Sequence, residues 1–315
     1  MTSETPEDRF AGLELVEVAA GLRFPEGPIA CADGSVLLVE IQRRTLTRVW
    51  PDGTADVVAE FDGGPNGAAI GPDGAVYVCD NGGYFDFVDT DGINVPHAGS
   101  SGWQQGSIQR VDLATGASEA LYIEAGGHRL RAPNDIVFDA HGGFWFTDHG
   151  VHIADAERGP VGAAVLYARA DGSAVRGVID GLDATNGVGL SPDGTRLYVS
   201  ETYRGRVLAW DVVGPGEVAA PGEPTVLHDA GGAAMFDSLA VDGTGSVCVA
   251  TLLTGGVTVV SPDGGTEFLS TGDPLTTNIC FGGEDLRTAW ITLAGTGRLV
   301  RCDWPVPGLA LAHGS

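Results

Sequence analysis

A pattern of a short apolar strand, a turn and a second apolar strand recurs six times along the chain. The copies read "EGPIACADGSVLLVE" from residue 26, "NGAAIGPDGAVYVCD" from 66, "NDIVFDAHGGFWFTD" from 134, "NGVGLSPDGTRLYVSE" from 186, "DSLAVDGTGSVCVAT" from 237 and "NICFGGEDLRTAWIT" from 278. Glycine closes five of the turns, since it accepts a positive φ without a Cβ penalty: Gly34, Gly74, Gly142, Gly194 and Gly245. The sixth copy has Leu286 there, so we expect its turn to be built differently.

Further hairpin signals, such as "GRVLAWDVVG" and "GVTVVSPDGG", lie between the copies, and two hairpins make a four-stranded unit. Six such units, mostly 40–50 residues apart, predict an all-β fold, a six-bladed β-propeller of four-stranded antiparallel blades around a central channel. A pair of β-sandwiches would not explain six copies at this period. We expect a single propeller domain over residues 14–315 and a disordered N-terminal lead-in over residues 1–13.

The charge balance narrows the range of partners. The chain has 42 acidic and 17 basic residues, a formal net charge of −25, which repels nucleic acid and anionic membranes but suits a cation. No apolar run approaches the ~18 residues of a membrane span, and the first ten residues lack the pattern of a signal peptide. The five cysteines are widely spaced and form no CxxC pair. We therefore expect a cytoplasmic protein with a small-molecule partner; the sequence does not indicate its oligomeric state.

Oxygen-bearing side chains recur where each first strand begins. If the first strand of each blade is innermost, they ring one mouth of the channel: Glu26, Asn66, Asn134, Asn186, Asp237 and Asn278. Asparagine and aspartate are common in turns, which explains any one position, but less well all six. A ring of oxygens without histidine or cysteine is typical of a hard cation. Ca²⁺ fits best; Mg²⁺, Mn²⁺ and Zn²⁺ are alternatives, although zinc usually recruits imidazole or thiolate.

A second set of oxygen-bearing residues follows the second strand of each copy. In a hairpin, the start of the first strand and the end of the second lie side by side, so Asn134 and Asp148 should be neighbours. We expect acids of this outer set, notably Asp148 and Glu201, to orient the amides of the inner ring.

The motifs "FPEGP" (24–28), "APNDIVFDAHGGFWFTD" (132–148), "TNGVGLSPDGTRLYVSE" (185–201) and "FDSLAVDGTG" (236–245) resemble those of the senescence marker protein/gluconolactonase/luciferin-regenerating enzyme family, in its bacterial sugar-lactonase-like branch. The resemblance implies a six-bladed propeller with one divalent metal that hydrolyses lactones. It further implies that the metal ligands are Glu26, Asn134, Asn186 and Asp237. Asn66 and Asn278 then become substrate or water contacts. The sequence "HGVH" after Asp148 departs from the Pro and Tyr common in that branch, so substrate contacts transfer least.

Lactone hydrolysis needs a polarised carbonyl and a base that takes a proton from water. The resemblance favours Asp237 as both ligand and base; the alternative is a ligand without a proton role. His149 beside Asp148 is the other candidate base, or a solvated loop residue, and His152 follows nearby. Arg131 is a candidate substrate contact or the partner of a surface acid.

The long insertion at residues 81–105 contains four aromatic residues, among them Tyr84 and Trp103. A loop of this length is uncommon without a role, and over the channel mouth it would form an aromatic lid whose residues bind substrate. The alternative is packing against the neighbouring blade.

Two other functions use the same features. A phosphotriesterase-like hydrolase would use the same ligands, so only substrates distinguish it from a lactonase. A non-catalytic ligand-binding propeller would hold Ca²⁺ as a structural ion, but the chain lacks the WD or kelch elements of interaction propellers.

Overall fold

The computed structural model describes residues 9–151 and 162–314, which form strands and turns without any helix. Within these residues there is accordingly no helical segment able to span a membrane. The strands form six antiparallel sheets, each the blade of a propeller, and the predicted six-bladed fold is confirmed.

The blades follow one another along the chain, except that β1 (Val16–Ala20) belongs to the sixth. Blade 1 contains β2 (Pro25–Ala30), β3 (Val36–Glu40), β4 (Thr45–Val49) and β5 (Ala55–Glu60). Blade 2 contains β6 (Pro65–Ile70), β7 (Val76–Asp80), a separate hairpin of β8 (Phe85–Thr90) and β9 (Ile93–Ala98), then β10 (Ser107–Val111) and β11 (Ser118–Tyr122). A short hairpin of β12 (Glu124–Ala125) and β13 (His128–Arg129) leads to blade 3.

The remaining blades repeat this plan. Blade 3 contains β14 (Pro133–Phe138), β15 (Gly143–Asp148), β16 (Ala164–Arg169) and β17 (Val175–Asp180). Blade 4 contains β18 (Thr185–Leu190), β19 (Arg196–Glu201), β20 (Arg206–Gly214), the short β21 (Glu217–Val218) and β22 (Thr225–Asp229). Blade 5 contains β23 (Met235–Val241), β24 (Val247–Leu252), β25 (Gly256–Val260) and β26 (Thr266–Ser270). Blade 6 contains β27 (Thr276–Gly282), β28 (Thr288–Leu293) and β29 (Arg298–Asp303).

The inner strands β2, β6, β14, β18, β23 and β27 pack side by side around the channel, and β27 returns to β2. The ring is closed by strand pairing between distant parts of the sequence, because β1 pairs with β29 as the outer strand of blade 6. Opposite ends of the chain therefore share one sheet, and neither end can leave without opening the propeller.

Apolar side chains fill the space between adjacent blades. At the contact of blades 2 and 3, Tyr77 packs on Phe138 and Phe144, with ring centroids 5.1 and 5.7 Å apart. All three are buried, and aromatic pairs in such tilted or edge geometries contribute beyond their buried area. These layers make the blades a rigid frame for whatever lies at the channel mouth.

One local expectation was wrong. Leu286 does not change the sixth turn, because it adopts the same left-handed conformation as the glycines, with φ = 58°. Near the start of the described residues, Phe10 is buried against Trp304, with ring centroids 5.1 Å apart, and the Arg9 guanidinium lies over the Phe10 ring. Among the described residues, the chain thus packs onto the propeller from Arg9 onward.

Candidate active site at the channel mouth

Every inner strand has a β-bulge at the point where the predicted oxygen-bearing residue lies. In blade 3 the register shifts between Pro133 and Ile136, and the other five blades shift at the equivalent place. The bulge also changes the predicted pairing by one residue, because Pro133 and not Asn134 lies opposite Asp148. Bulges bend a strand and redirect its side chains, so they turn the six residues toward the axis.

Glycines beside the ring let neighbouring blades approach closely. A Cβ on Gly27 would lie 2.8 Å from the backbone of Asn66 and Ala68 in the next blade. A Cβ on Gly67 would lie 2.4 Å from the Asn134 carbonyl oxygen, and one on Gly187 would lie 2.6 Å from a backbone nitrogen of blade 5. The repeated "EG" and "NG" pairs of the sequence therefore keep the ring narrow.

All six ring residues lie at one end of the inner strands; five are buried and Asp237 is half-buried. They are linked by hydrogen bonds across blade boundaries. The Asn278 amide donates to Glu26 Oε2 over 2.7 Å, which joins blades 6 and 1. The Asn186 amide bonds to the Asp237 carboxylate, and Ser238 Oγ donates to Asn186 Oδ1 over 3.3 Å. The predicted substrate contact Asn278 thus holds a carboxylate.

The carboxylates of the ring concentrate negative charge at the mouth. Among the described contacts, no cationic side chain faces them. Burial raises the pKa of Asp237 to about 7, with a further contribution from the charge of Asp135. Burial and the charge of Asp237 raise the pKa of Glu26 well above its usual value, although the Asn278 amide opposes the shift. Carboxylates in this setting favour either a proton or a bound cation.

An unpaired hydrogen-bond acceptor in the ring indicates that a cation fits this site better than a proton. Asn134 Oδ1 is buried and has no hydrogen-bond partner among the described residues. A buried acceptor without a partner costs about 1–3 kcal/mol, and a cation would satisfy it where a proton on a neighbouring acid need not. Within the described chain, no three His, Cys, Asp or Glu side chains converge as a metal site. The donor set of two carboxylates and two amides therefore fits a hard cation rather than zinc.

Asp135 is a component that the sequence reasoning missed. Its buried carboxylate accepts hydrogen bonds from the backbone of Ile136 at 2.9 Å, of Val188 at 3.1 Å and of Leu239, and burial raises its pKa to about 7. One side chain thus connects blades 3, 4 and 5 below the ring. The motif "PND" contains Asp135, but only the arrangement of the blades in space shows that its carboxylate contacts blades 4 and 5.

The outer acids do not bond to the ring amides as we expected. Asp148 accepts from the backbone nitrogens of Arg131 and Ala132, at 2.7 and 2.8 Å, and from that of Gly150 at 3.0 Å. Glu201 accepts from the backbone nitrogen of Asp183 at 2.8 Å and pairs with Arg206. These carboxylates fix the loops that lead into the inner strands, and so position the ring residues through the backbone.

An aromatic wall rises beside the ring on the side of blades 3 and 4. The buried His149 ring lies 6.5 Å from Tyr84 and 5.9 Å from Tyr203. Tyr203 was not among the predicted site residues, yet it is 39% exposed, and burial together with the charges of Tyr84, Asp183 and Asp237 raises its pKa to about 12. Its position two residues after the strand that ends at Glu201, close to where His149 follows Asp148 in blade 3, was the available signal.

Three residues that we expected to contact substrate make structural contacts with other parts of the protein. Tyr84 is only 1% exposed and supports the wall from behind. Trp103 donates its indole N–H to the Arg131 carbonyl over 3.1 Å, which fixes the segment before Asn134. The Arg131 residue is half-buried; burial raises the pKa of Asp148, and the Arg131 charge partly opposes that shift. His152 lies outside the described residues.

The insertion at residues 81–105 reaches across the end of the propeller that carries the ring. The hairpin of β8 and β9 packs Phe87 on Phe24, with ring centroids 5.0 Å apart, beside the start of β2. Asn94 donates its backbone N–H to Gly295 over 2.8 Å and its amide to Gln42 over 2.7 Å. A segment of blade 2 therefore contacts blades 1 and 6 above the ring.

This fold and ring define a class: six-bladed propellers with an oxygen-rich cluster at one channel mouth. The sequence pattern described as the SMP-30/Gluconolactonase/LRE-like region matches residues 24–295. The chain belongs to that family, as its motifs indicated.

Individual relatives are more distant. The chain is 26% identical to a gluconolactonase of Zymomonas mobilis over 84% of this chain and 75% of that protein. It is 28% identical to lactonase drp35 of Staphylococcus saprophyticus over 76% of this chain and 67% of the relative.

Solved structures share the fold. A gluconolactonase from Xanthomonas campestris superposes with a TM-score of 0.74 at 23% identity, covering 96% of this chain and 93% of its own. A protein from Agrobacterium tumefaciens described as calcium-binding regucalcin gives 0.73 at 18% identity, covering 95% and 98%.

Proposed function

We propose that the protein hydrolyses lactones with the help of one divalent cation, most suitably Ca²⁺, held by Glu26, Asn134, Asn186 and Asp237. The observation that carries the proposal is the unpaired, buried Asn134 Oδ1 beside two buried or half-buried carboxylates at an open channel mouth. Relatives named gluconolactonase and lactonase support the choice of substrate.

The bound cation would polarise the lactone carbonyl and stabilise the oxyanion that forms on it. Asp237 acts as the base toward water, because it is the most exposed member of the ring, and the Asn186 amide and the Ser238 backbone N–H hold its carboxylate in place. His149 is the less suitable base, since its Nδ1 faces the Gly150 carbonyl and its ring is packed between Tyr84 and Tyr203.

The remaining residues prepare the site. Asn278 holds Glu26, and Asp148 and Glu201 hold the incoming loops through backbone N–H groups. Tyr203 is the substrate contact that we favour in place of Tyr84, because it is exposed at the mouth and close to Asp237. Asn66 completes the ring between blades 1 and 3 and is available to substrate or water.

The test is proton release from aldonolactones, aliphatic γ-lactones and aromatic lactones, with a phosphotriester included for comparison. The protein is stripped with a chelator and assayed before and after addition of Ca²⁺, Mg²⁺ or Mn²⁺. Lactone turnover that disappears with the chelator and returns with one ion supports the proposal. Turnover of the phosphotriester alone, or of lactones regardless of the chelator, contradicts it.

A further inference from the structure

The half of the channel away from the ring encloses a cavity of about 860 Å³. It extends from Asp135 to the opposite face of the propeller. Its half-buried lining side chains are mainly apolar and include one from each of the six inner strands: Ala30, Ala69, Val137, Leu190, Ala240 and Phe281. This lining contrasts with the carboxylates and amides at the mouth.

The C-terminal segment crosses the far opening of this cavity. On one side, Gly308 donates its backbone N–H to Leu286 over 2.8 Å and Leu309 donates to Val241 over 3.1 Å, which anchors the segment on blades 5 and 6. On the other side, His313 packs edge-on against Phe138 of blade 3, with ring centroids 5.5 Å apart. The segment from Leu309 to His313 therefore spans the opening between opposite blades.

The polar groups around the cavity constrain what could enter it. Asp139 at its wall is already bonded to the Tyr167 hydroxyl over 2.7 Å, and Asp193 and Glu284 add negative charge near the opening. The basic Arg301 also lines the cavity, but these acids and Asp135 outnumber it. An anion would therefore be repelled, all the more by a chain with a net charge of −25. His313 Nε2 is buried and has no hydrogen-bond partner among the described residues, so one polar group of a ligand could bond to it.

We infer that this far cavity is a second binding site, for a neutral, elongated apolar molecule with a single hydroxyl or carbonyl group, and that the C-terminal segment is its cover. The volume lies within the 300–1,000 Å³ typical of small-molecule sites, and a mainly apolar wall with few polar groups is their usual composition. The ring residue Asn278 and Asp135 line the inner end of this cavity, so the ring lies between the cavity and the mouth, and the inference does not depend on the lactonase proposal.

The first experiment titrates the full chain with the neutral fluorophore N-phenyl-1-naphthylamine. Trp290 lines the cavity, so binding should produce energy transfer from tryptophan. Val137→Asp places a charge in the apolar wall and should weaken binding at least tenfold. Val213→Asp is the matched control, because it makes the same change at a side chain 63% exposed on an outer strand. Equal binding by both variants would show that the probe occupies another place and overturn the inference.

The second experiment needs no variant in the wall, and so stands if Val137→Asp fails to fold. The probe is displaced from the wild-type chain by 1-decanol or by decanoate, which share a chain length and differ in charge. Decanol should compete at least tenfold better. His313→Ala should weaken decanol competition several-fold, whereas His128→Ala, at an exposed histidine, should not. Better competition by decanoate, or no effect of His313→Ala, would contradict the proposed ligand and its cover.

Discussion

At the scale of single residues, the mouth is distinguished by polar atoms whose partners are missing or of like charge. Asn134 Oδ1 has no partner among the described residues, and Glu26 and Asp237 raise each other's cost of ionisation. Such groups destabilise a fold unless something binds to them. Their concentration at one place is therefore a sign of function.

The substitution Asn134→Leu tests whether Asn134 is a metal ligand or a structural residue. Because Asn134 Oδ1 is unpaired, its removal should leave the cation-free protein equally stable or about 1 kcal/mol more stable. The rise in melting temperature on adding Ca²⁺ should be lost. Asn81→Leu is the matched control: Asn81 Oδ1 accepts from Gly83 and Tyr84, so this change should cost about 1–3 kcal/mol and keep the Ca²⁺ effect. Calorimetry with and without Ca²⁺ measures the stability and the Ca²⁺ response of each variant. An unchanged Ca²⁺ response in Asn134→Leu would exclude Asn134 as a ligand.

Asp237→Asn tests the base while keeping an oxygen in the ring. Loss of the proton acceptor should lower kcat for lactone hydrolysis by about 10²–10⁴-fold. Asp263→Asn, at an exposed turn of blade 5, should leave kcat unchanged. A kcat within threefold of wild type for Asp237→Asn would move the proton transfer to another group, with His149 as the next candidate.

Gly27→Ala tests the close approach of blades 1 and 2. Gly27 has φ = 50°, and a Cβ would lie 2.8 Å from backbone atoms of the next blade, so both strain and a clash follow. Gly194 has φ = 69° but nothing within 4 Å of its Cβ position, so Gly194→Ala should cost only the backbone term of about 1–2 kcal/mol. We expect Gly27→Ala to cost clearly more in urea unfolding and to weaken the Ca²⁺ response. Equal costs would mean that the inner strands can move apart freely.

At the scale of elements, the hairpin of β8 and β9 lies outside the blades, over the end of the propeller that carries the ring. Its contacts with Phe24, Gln42 and Gly295 bind it to blades 1 and 6. This arrangement suits a fixed cover that shapes the entrance, since backbone and side-chain contacts hold both of its strands.

Phe87→Ala should loosen this cover without unfolding the propeller, because Phe87 packs on Phe24 at the hairpin and not between blades. We expect roughly a tenfold fall in kcat/KM for lactones, mainly through KM, and faster proteolysis within residues 85–98. Val88→Ala removes an exposed neighbour in the same strand and should change neither property. If Phe87→Ala hydrolyses lactones like wild type, the hairpin has no part in the entrance.

At the scale of the whole molecule, the channel joins two ends with opposite properties. Oxygen-bearing residues gather at one end, and apolar side chains under the C-terminal segment line the other. The acids at the first end connect the propeller's stability to pH, because their pKa values are raised and several blades meet there.

The cation-free protein should lose stability as pH rises from about 4 to 8. Asp135 and Asp237 have folded pKa values raised to about 7, so the native state binds more protons than the unfolded state above the usual carboxyl pKa of about 4. Their contribution is fully present below about pH 4 and is lost as pH passes 7. Ca²⁺ should therefore raise the melting temperature more at pH 8 than at pH 5, and Asp237→Asn should flatten the pH dependence. A melting temperature of the chelated protein that increases from pH 5 to 8 would contradict this account.

The sequence determined the features that depend on neighbours along the chain. A period of two within strands, a glycine at five of the six turns and six copies of one hairpin fix the blades and place the six oxygen-bearing residues at one end. The family motifs lie in these same hairpins, which is why membership of the family could be read without a structure.

Only the tertiary structure decided what depends on contacts between distant segments. The bulges that aim the ring, the reach of Asp135 to blades 4 and 5, the position of Tyr203 beside Asp237 and the hairpin over blades 1 and 6 all arise between blades. Leu286 is a further case, because it adopts the left-handed backbone of the turn glycines, which its side chain does not favour. Local preference fixes the repeating unit, whereas closure of the ring fixes how the six units meet, and the site lies where they meet.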